Sequence, residues 1–412
     1  MAVPAVLRHR DFDLYWFGVI FSQIGTRGTV AANLYQVYEL SRSTALTGLV
    51  GLAQAVSLLV LSPLGGAYAD RLDRRRLLQA TQVLALIVAA GLAVVTELGR
   101  ATVAEVLACV LLTTAAGTFD QPARQALIPA MVPRAQLPQA FALINPSREL
   151  AVLTGPALAG LFIAVHGPGL MYVVDAATYA VLAVVLGLLR VPRLMPAKHL
   201  PVLHSIAEGA RFVRKRPTIW MMMSLDLSAT LFGAYRVVLP ALTLNVLHAG
   251  PAAYGLLSSA PSAGALLATW PVVHLVGRPG RTGRILLAAS AGYGVATLAL
   301  AQSRLLALAL LAGLLVGAFD ALATTIRQAA VQLETPDEMR GRVSSIYQMA
   351  SRGGPALGDT IIGGVASLVG AVAALSLGSL VPIGYAAALW VRSGRLREYR
   401  AVEEPVPAVT PP

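Results

Sequence analysis

One cysteine in 412 residues, Cys109, leaves this chain without an intrachain disulfide or a cysteine-based metal cluster. Charge is scarce too: 13% of residues are charged against 56% hydrophobic, and the mean hydropathy is +0.69. Soluble domains carry about 25% charged residues, so this composition excludes a soluble multidomain protein. No GxxxxGK[ST] stretch is present to cradle nucleotide phosphates, so the chain has no means of its own to use ATP. The histidines, His9, His166, His199, His204, His248 and His274, fall in no HExxH or other metal spacing. No serine occupies a GxSxG elbow. These absences argue against an enzyme, a metal site and a resident cofactor. No cleavable signal sequence is expected, because the first apolar segment is too long for one, lacks a convincing cleavage site and carries polar residues mid-span.

What the chain has is long apolar runs. About 20 helical residues span a bilayer's hydrocarbon core, and twelve such segments can be placed: 12–38, 45–66, 77–98, 103–119, 141–165, 169–189, 219–247, 254–276, 285–301, 305–326, 343–369 and 371–391. A membrane barrel needs short alternating strands, whereas these runs are continuous and rich in Leu, Ala and Gly. The fold class expected is therefore an all-α membrane protein of twelve transmembrane helices.

The basic residues orient it. Of the 32 Lys and Arg, 25 fall in one alternating set of loops and tails, and only Arg42, Arg100 and Arg304 in the other. By the positive-inside rule both termini lie in the cytosol, as expected of a multi-pass protein of the cytoplasmic membrane. The net charge of +12 is thus a topological signal rather than a nucleic-acid footprint.

The longest hydrophilic interval divides the chain into a six-helix half at 1–190, a cytosolic middle loop at 191–217, a second six-helix half at 218–400 and a Pro-rich disordered tail at 401–412. The halves echo one another. GTFDQPARQALIP (117–129) matches GAFDALATTIRQAAVQLETP (317–336), each placed at the cytosolic end of a segment, and Ser147-Arg148 matches Ser351-Arg352. Gly25 to Arg27 aligns loosely with Gly233 to Arg236. Two homologous bundles are expected.

Between the second and third segments stands GGAYADRLDRRRLL (65–78). With the twelve segments, the two halves and the basic middle loop, it resembles the major facilitator superfamily over nearly the whole chain. That family's loop reads G-x-x-x-D-R-x-G-R-R, supplied here by Gly66, Asp70, Arg71, Arg74 and Arg75, with Asp73 where the family prefers Gly. LRHRDFDLYW, FDQPARQALIP and TPDEMRGRV resemble the branch containing enterobactin exporters and related drug-efflux proteins. Gly155-Pro156 resembles part of the antiporter motif of the fifth helix. The resemblance implies alternating access.

It also implies a cytosolic latch. Gly66 lets the second helix approach the start of the eleventh, Asp70 projects from the same face, and Arg74 is one turn further on, in reach of Asp120. Gly66, Asp70, Arg71, Arg74 and Asp120 are the expected gating residues. Asp320 is their weaker counterpart in the second half, facing Arg281 or Arg284.

Polar groups inside the bilayer cost about 2.5–3.5 kcal/mol each when charged, so they mark pathways or pairs. Gln23, Arg27 and Asn33 lie on the first helix, Asn145, Arg148 and Glu149 on the fifth, Tyr235 and Arg236 on the seventh and Arg352 on the eleventh. In the resembling fold these helices line or flank one cavity, so Gln23, Arg27, Asn33, Asn145, Arg148, Tyr235, Arg236 and Arg352 are candidate substrate contacts for an anionic or zwitterionic group. Asp226, Asp359 and Glu149 are candidate proton-coupling acids. Asp175 reads as a residue near a helix start, within reach of interfacial water.

The expectation is a monomeric secondary transporter among membrane lipids, exporting a small amphipathic or anionic compound, siderophore-like or drug-like, by proton antiport. Its partners are the small-molecule substrate and protons, not nucleic acid. The alternatives are an uptake carrier or lipid flippase of the same fold, or a membrane sensor or scaffold that transports nothing.

Overall fold

The computed structural model describes residues 5–71, 73–190, 202–276 and 282–400, with no strand among them. Six rods come first: α1 (Arg10–Ser41), α2 (Thr44–Arg71), α3 (Arg74–Glu97), α4 (Val103–Met131), α5 (Leu137–His166) and α6 (Pro168–Leu188). A short helix, α7 (Val202–Lys215), precedes a second six. These are α8 (Pro217–Phe232) with its irregular continuation through α9 (Leu239–Ala241), then α10 (Pro251–Val276), α11 (Thr282–Gln302), α12 (Leu306–Leu333), α13 (Asp337–Val369) and α14 (Ala371–Arg392), followed by the turn α15 (Gly394–Arg397). Nine stretches among the described residues are long and apolar enough to cross a bilayer on length and composition alone. With α1, α10 and α13 the membrane-length rods number twelve.

Local chemistry sets the ends of several rods. Thr102 and Glu105 form a capping box that opens α4, each side chain accepting the other's backbone N–H. Asp73 accepts from the backbone N–H groups of Arg75 at 3.0 Å and Arg76 at 3.3 Å. The residue that breaks the family's loop pattern is thus the N-cap of α3, a role that glycine fills less well than Asp. Gly167 and Gly370, at φ 87° and 86°, make the tight turns from α5 to α6 and from α13 to α14.

The rods depart from the sequence expectation in several places. α4 continues to Met131 and α12 to Leu333, well past the expected ends at Phe119 and Ile326. Both extensions carry arginines that read as loop residues but find partners inside the bundle. The seventh segment is not continuous: it unwinds after Phe232 and proceeds through a 3-10 turn (Arg236–Val238) and a π turn (Leu242–Val246). Part of the middle loop is helical, since α7 packs on α13 and α8, buries Val213 and pairs Glu208 with Arg342 at 2.6 Å.

α1 packs on α5 and α6, α3 on α4 and α6, and α2 on α4. In the second group α12 packs on α10 and α11, α14 on α11, and α8 on α13 and α14. The groups meet along two seams, α2 with α13 and α5 with α10. Both seams are tightest at the end of the bundle away from the termini. A Cβ added at Gly160 would lie 2.5 Å from Gly255 Cα, and one at Gly48 would lie 3.3 Å from Gly363 Cα. Small residues let these backbones touch, so the contact is van der Waals packing with no long side chain between. Hydrogen bonds add to it: Thr360 donates to the Gly48 carbonyl at 3.2 Å, Tyr254 to the Ala31 carbonyl at 2.8 Å and Asn245 to the Tyr38 hydroxyl at 2.5 Å. The Tyr35 and Tyr254 rings meet at 5.4 Å.

Gly160→Ala should therefore push the groups apart at this end, at a cost of about 1–3 kcal/mol to the closed contact. Distances between spin labels on the exposed α3–α4 and α11–α12 turns should lengthen, while the same substitution at Gly91, where an added Cβ meets nothing within 4 Å, should leave them unchanged.

Candidate functional site

A cavity of about 300 Å³ opens between the two groups. Glu149 of α5 faces it from one side, and Tyr235, Arg236, Tyr293, Asp320 and Asp359 face it from the other. The break after α8 shapes this wall. Unwinding frees backbone carbonyls, and Tyr293 donates its hydroxyl to that of Gly233 at 3.0 Å. α13 and α14 press against the break because Gly358 and Gly378 have no side chains: an added Cβ would run into the carbonyls of Thr230 and Phe232 respectively. The turn that follows delivers Arg236 to Asp359, Nη2 to Oδ2 at 2.6 Å. The two ends of this pair differ, with the Asp359 side chain 2% exposed and Arg236 37% exposed toward the cavity.

On the facing side α1 crosses α5 at Gly28 and Gly155. A Cβ on Gly155 would lie 2.7 Å from Arg27 Cβ and 2.8 Å from the Gly28 nitrogen, so only glycine permits the crossing. That crossing sets Arg27 against α5, where Arg148 lies about two turns earlier. Arg27 faces the like charges of Arg148, Arg236 and Arg352 and the opposite charge of Glu149. Four of the expected arginines are thus brought together from both groups. Arg236 is paired; Arg27, Arg148 and Arg352 form no ion pair among the described residues. Gln23 and Arg148 share a side pocket of about 40 Å³ with Tyr15, Trp16, Arg124 and Ser147.

The remaining expected residues divide. Asn33 is buried, 3% exposed, further along α1, and Asn145 is exposed on α5. Neither lines the cavity. Asp320 lies at the middle of α12 because that helix runs on to Leu333, so it sits in the cavity wall and not at a cytosolic end beside Arg284; Arg281 lies outside the described residues. Asp120 is held by Arg124, one turn on along α4, and accepts from Gln82 of α3 at 3.1 Å, so its cation is Arg124 where Arg74 was expected. The side chains of Gly66, Asp70 and Arg71 lie outside the described residues. Asp175 is not a solvated helix-start residue: it is wholly buried, two turns into α6 and packed on Gly25 of α1.

Asp226 faces away from the cavity into a polar cluster of the second group. Its Oδ1 meets Arg327 Nη2 at 2.7 Å, and Ser351 donates to its Oδ2 at 3.2 Å. Arg327 also donates to Thr324 at 2.9 Å and to the Tyr347 hydroxyl at 3.4 Å, with its guanidinium 5.9 Å from the Tyr347 ring centre. Arg327 and Arg124 are the functional-looking residues that sequence reasoning placed in loops. A signal for both existed, since Arg124-Gln125 and Arg327-Gln328 follow the matched GxFD stretches in both halves. Arg75 also acts locally, donating to the carbonyls of Leu186 and Gly187 at the end of α6.

A family model described as Transmembrane secretion effector matches residues 2–408. Among curated proteins, the chain is 28% identical over 387 residues to the enterobactin exporter EntS of Citrobacter koseri, covering 91% of this chain and 90% of the relative. It is likewise 28% identical over 376 residues to the enterobactin exporter EntS of Salmonella typhi, covering 89% and 88%. Among solved structures, the nucleoside transporter NupG superposes with a TM-score of 0.73 at 15% identity, covering 95% of this chain and all of that one. The peptide transporter POT in complex with sulfate superposes at 0.71 and 14% identity, covering 95% and 96%.

Asp226→Asn leaves Arg327 as a buried charge without its counter-ion and should destabilise the protein by about 3–5 kcal/mol. Asp226→Leu combined with Arg327→Met removes both charges and should recover most of that loss. Thermal unfolding of the purified protein in detergent measures both.

Proposed function

This chain belongs to the transmembrane secretion effector family of the major facilitator superfamily, and from that membership we propose that it exports a small amphipathic anion by proton antiport, with both termini in the cytosol. Transport across the inner membrane by a multi-pass helical protein is what the family and its relatives have in common. Direction, cargo charge and coupling are the finer reading. One observation carries it: Arg27, Arg148 and Arg352, contributed by both groups, lie close enough to repel one another and have no ion-pair partner among the described residues. Three cations in so apolar a bundle are costly unless an anion joins them. A cargo carboxylate, phenolate or phosphate would form charge-assisted hydrogen bonds with these guanidinium forks. Gln23 and Tyr235 would place polar contacts beside it, while the side pocket bounded by Tyr15, Trp16 and Ile128 would take an apolar portion.

In this reading the tight end of the bundle is the outer one, and the structure is closed outward. Closure of the cytosolic end falls to Gly66, Asp70, Arg71, Arg74 and Asp120. Asp226, Asp359 and Glu149 are the proposed proton carriers, Asp226 opposite Arg327 and Asp359 opposite Arg236. The exporter names of the relatives favour outward transport.

An untargeted comparison of the medium from a strain lacking this gene with that of its parent should reveal at least one anionic compound depleted from the mutant's medium and retained in its cells. Restoring the gene with Arg148→Ala should return about a tenth or less of the wild-type export, the loss expected when one charge-assisted hydrogen bond of about 1.5–3 kcal/mol is removed. Media that do not differ would overturn the proposal. Asp70→Asn should separately raise the labelling of cysteines introduced at the cytosolic ends of α2 and α13.

A further inference from the structure

Asp359 belongs to two structures at once. It is the counter-ion of Arg236 on the cavity wall, and it is part of the seam that closes the bundle at its outer end. A Cβ added at Gly51 of α2 would lie 2.7 Å from Asp359 Cβ, the neighbouring Thr360 donates to the Gly48 carbonyl, and Gly363 faces Gly48 one turn further on. By helix rise, Asp359 lies about 15 Å from the outer end of α13. Its carboxylate has almost no contact with solvent, whereas Arg236 lies open to the cavity and uses a single N–H on Asp359 among the described contacts. A guanidinium has five N–H donors, so Arg236 can engage a second anion from the cavity side.

We propose that cargo and Asp359 compete for Arg236, and that this exchange opens the outer seam. An anion able to take the guanidinium fork, a carboxylate, phenolate, sulfonate or phosphate, draws Arg236 away and leaves Asp359 without its counter-ion, held only by the backbone N–H of Val237 and packed against the backbone of α2. A buried carboxylate without a counter-ion is strongly disfavoured. The α2–α13 seam relieves this by parting and admitting water. Cargo then leaves outward, and Asp359 takes a proton from that water. Once neutral, it is buried again without penalty, the seam closes, Arg236 reclaims the carboxylate, and the proton leaves into the inward-facing cavity. Each cycle moves an anion out and a proton in. The inference rests on the export reading and names the group through which cargo opens the gate.

The other titratable groups around Asp359 are Tyr235 beside Arg236, Tyr254 of α10, Tyr293 of α11, Asp320 of α12 and Glu149 of α5. α2 meets it through Gly48 and Gly51, and α14 meets α13 through Gly378 near Ile362, so neither brings a titratable side chain to the contact.

Spin labels on Arg100→Cys and Arg304→Cys, in exposed outer turns of the two groups, read the seam directly in lipid nanodiscs once the buried Cys109 is replaced by Ser. No cargo is added. The otherwise unaltered protein should give one short distance at acidic and at alkaline pH. Arg236→Gln should raise the ratio of long to short distances about tenfold at alkaline pH and return to the short distance in acid, when Asp359 is protonated. Arg236→Lys, available should the Gln variant insert poorly, should open less with the same pH sign. Asp359→Asn, alone or combined with Arg236→Gln, should stay short throughout. An Arg236 variant that stays short at alkaline pH, or a pH response that survives Asp359→Asn, would overturn the exchange. Since no cargo is present, that failure leaves the export reading standing, and the export reading fails only on the comparison of media.

Discussion

A charge buried in a bundle this apolar is stabilised by a counter-ion within the bundle, and the arrangement of three buried acids follows from that constraint. Asp120 is met by Arg124, Asp226 by Arg327 and Asp359 by Arg236. Each pair has its own surroundings. Arg124 and Asp120 lie on one helix, so their pairing holds α4 together locally and reaches α3 only through Gln82. Arg327 crosses from α12 to α8 and draws α13 in through Tyr347 and Ser351, tying three helices of the second group together. The pair at Asp359 alone joins a cavity-exposed cation to an acid in the seam between groups. Pairs that hold one group together are suited to moving as a unit, whereas a pair shared by the cavity and a seam is suited to change with the cavity's contents.

The same constraint bears on the arginines near the cavity. Arg27, Arg148 and Arg352 form no ion pair among the described residues, though Glu149 lies near Arg27, so the field they create favours an anion among them. Glycine at the helix crossings makes the geometry possible. Gly155 lets α1 and α5 cross with Arg27 beside the contact, Gly358 and Gly378 let two helices close on the broken seventh rod, and the pairs at Gly48 with Gly363 and Gly160 with Gly255 bring the groups into backbone contact at one end. The contact at that end is held between the groups by packing and by hydroxyl or amide hydrogen bonds, with no ion pair from one group to the other among its described residues. Such a contact is largely indifferent to salt, unlike a latch of exposed charges.

Much of this was legible in the residues. Twelve apolar runs, a one-sided distribution of arginine and the GxFD echo lead to the fold, and the four arginines expected to share a cavity are brought near one another. What was not legible has physical causes. Hydropathy ends a helix where polar residues begin, yet Arg124 and Arg327 continue theirs, because a partner supplied by the tertiary structure makes them tolerable. The break at Gly233 was hidden within an apolar run, since unwinding is stabilised by Tyr293 and by glycines far away in sequence. Asp175 resembled an interfacial residue because burial against Gly25 is a property of helix packing rather than of sequence spacing. Asp73 broke a family pattern and still served the turn, because capping chemistry is local and tolerates either residue with different strength.

The central claim is that the cavity is built to hold an anion. The most direct measurement is the shift in melting temperature of the purified protein across a set of aromatic compounds matched in size and differing only in charge, as acid, amide and amine. The acids alone are predicted to stabilise the protein, by an amount that shrinks when Arg27, Arg148 or Arg352 is replaced by glutamine. Equal stabilisation by amides or amines, or stabilisation by acids that survives all three replacements, would contradict it.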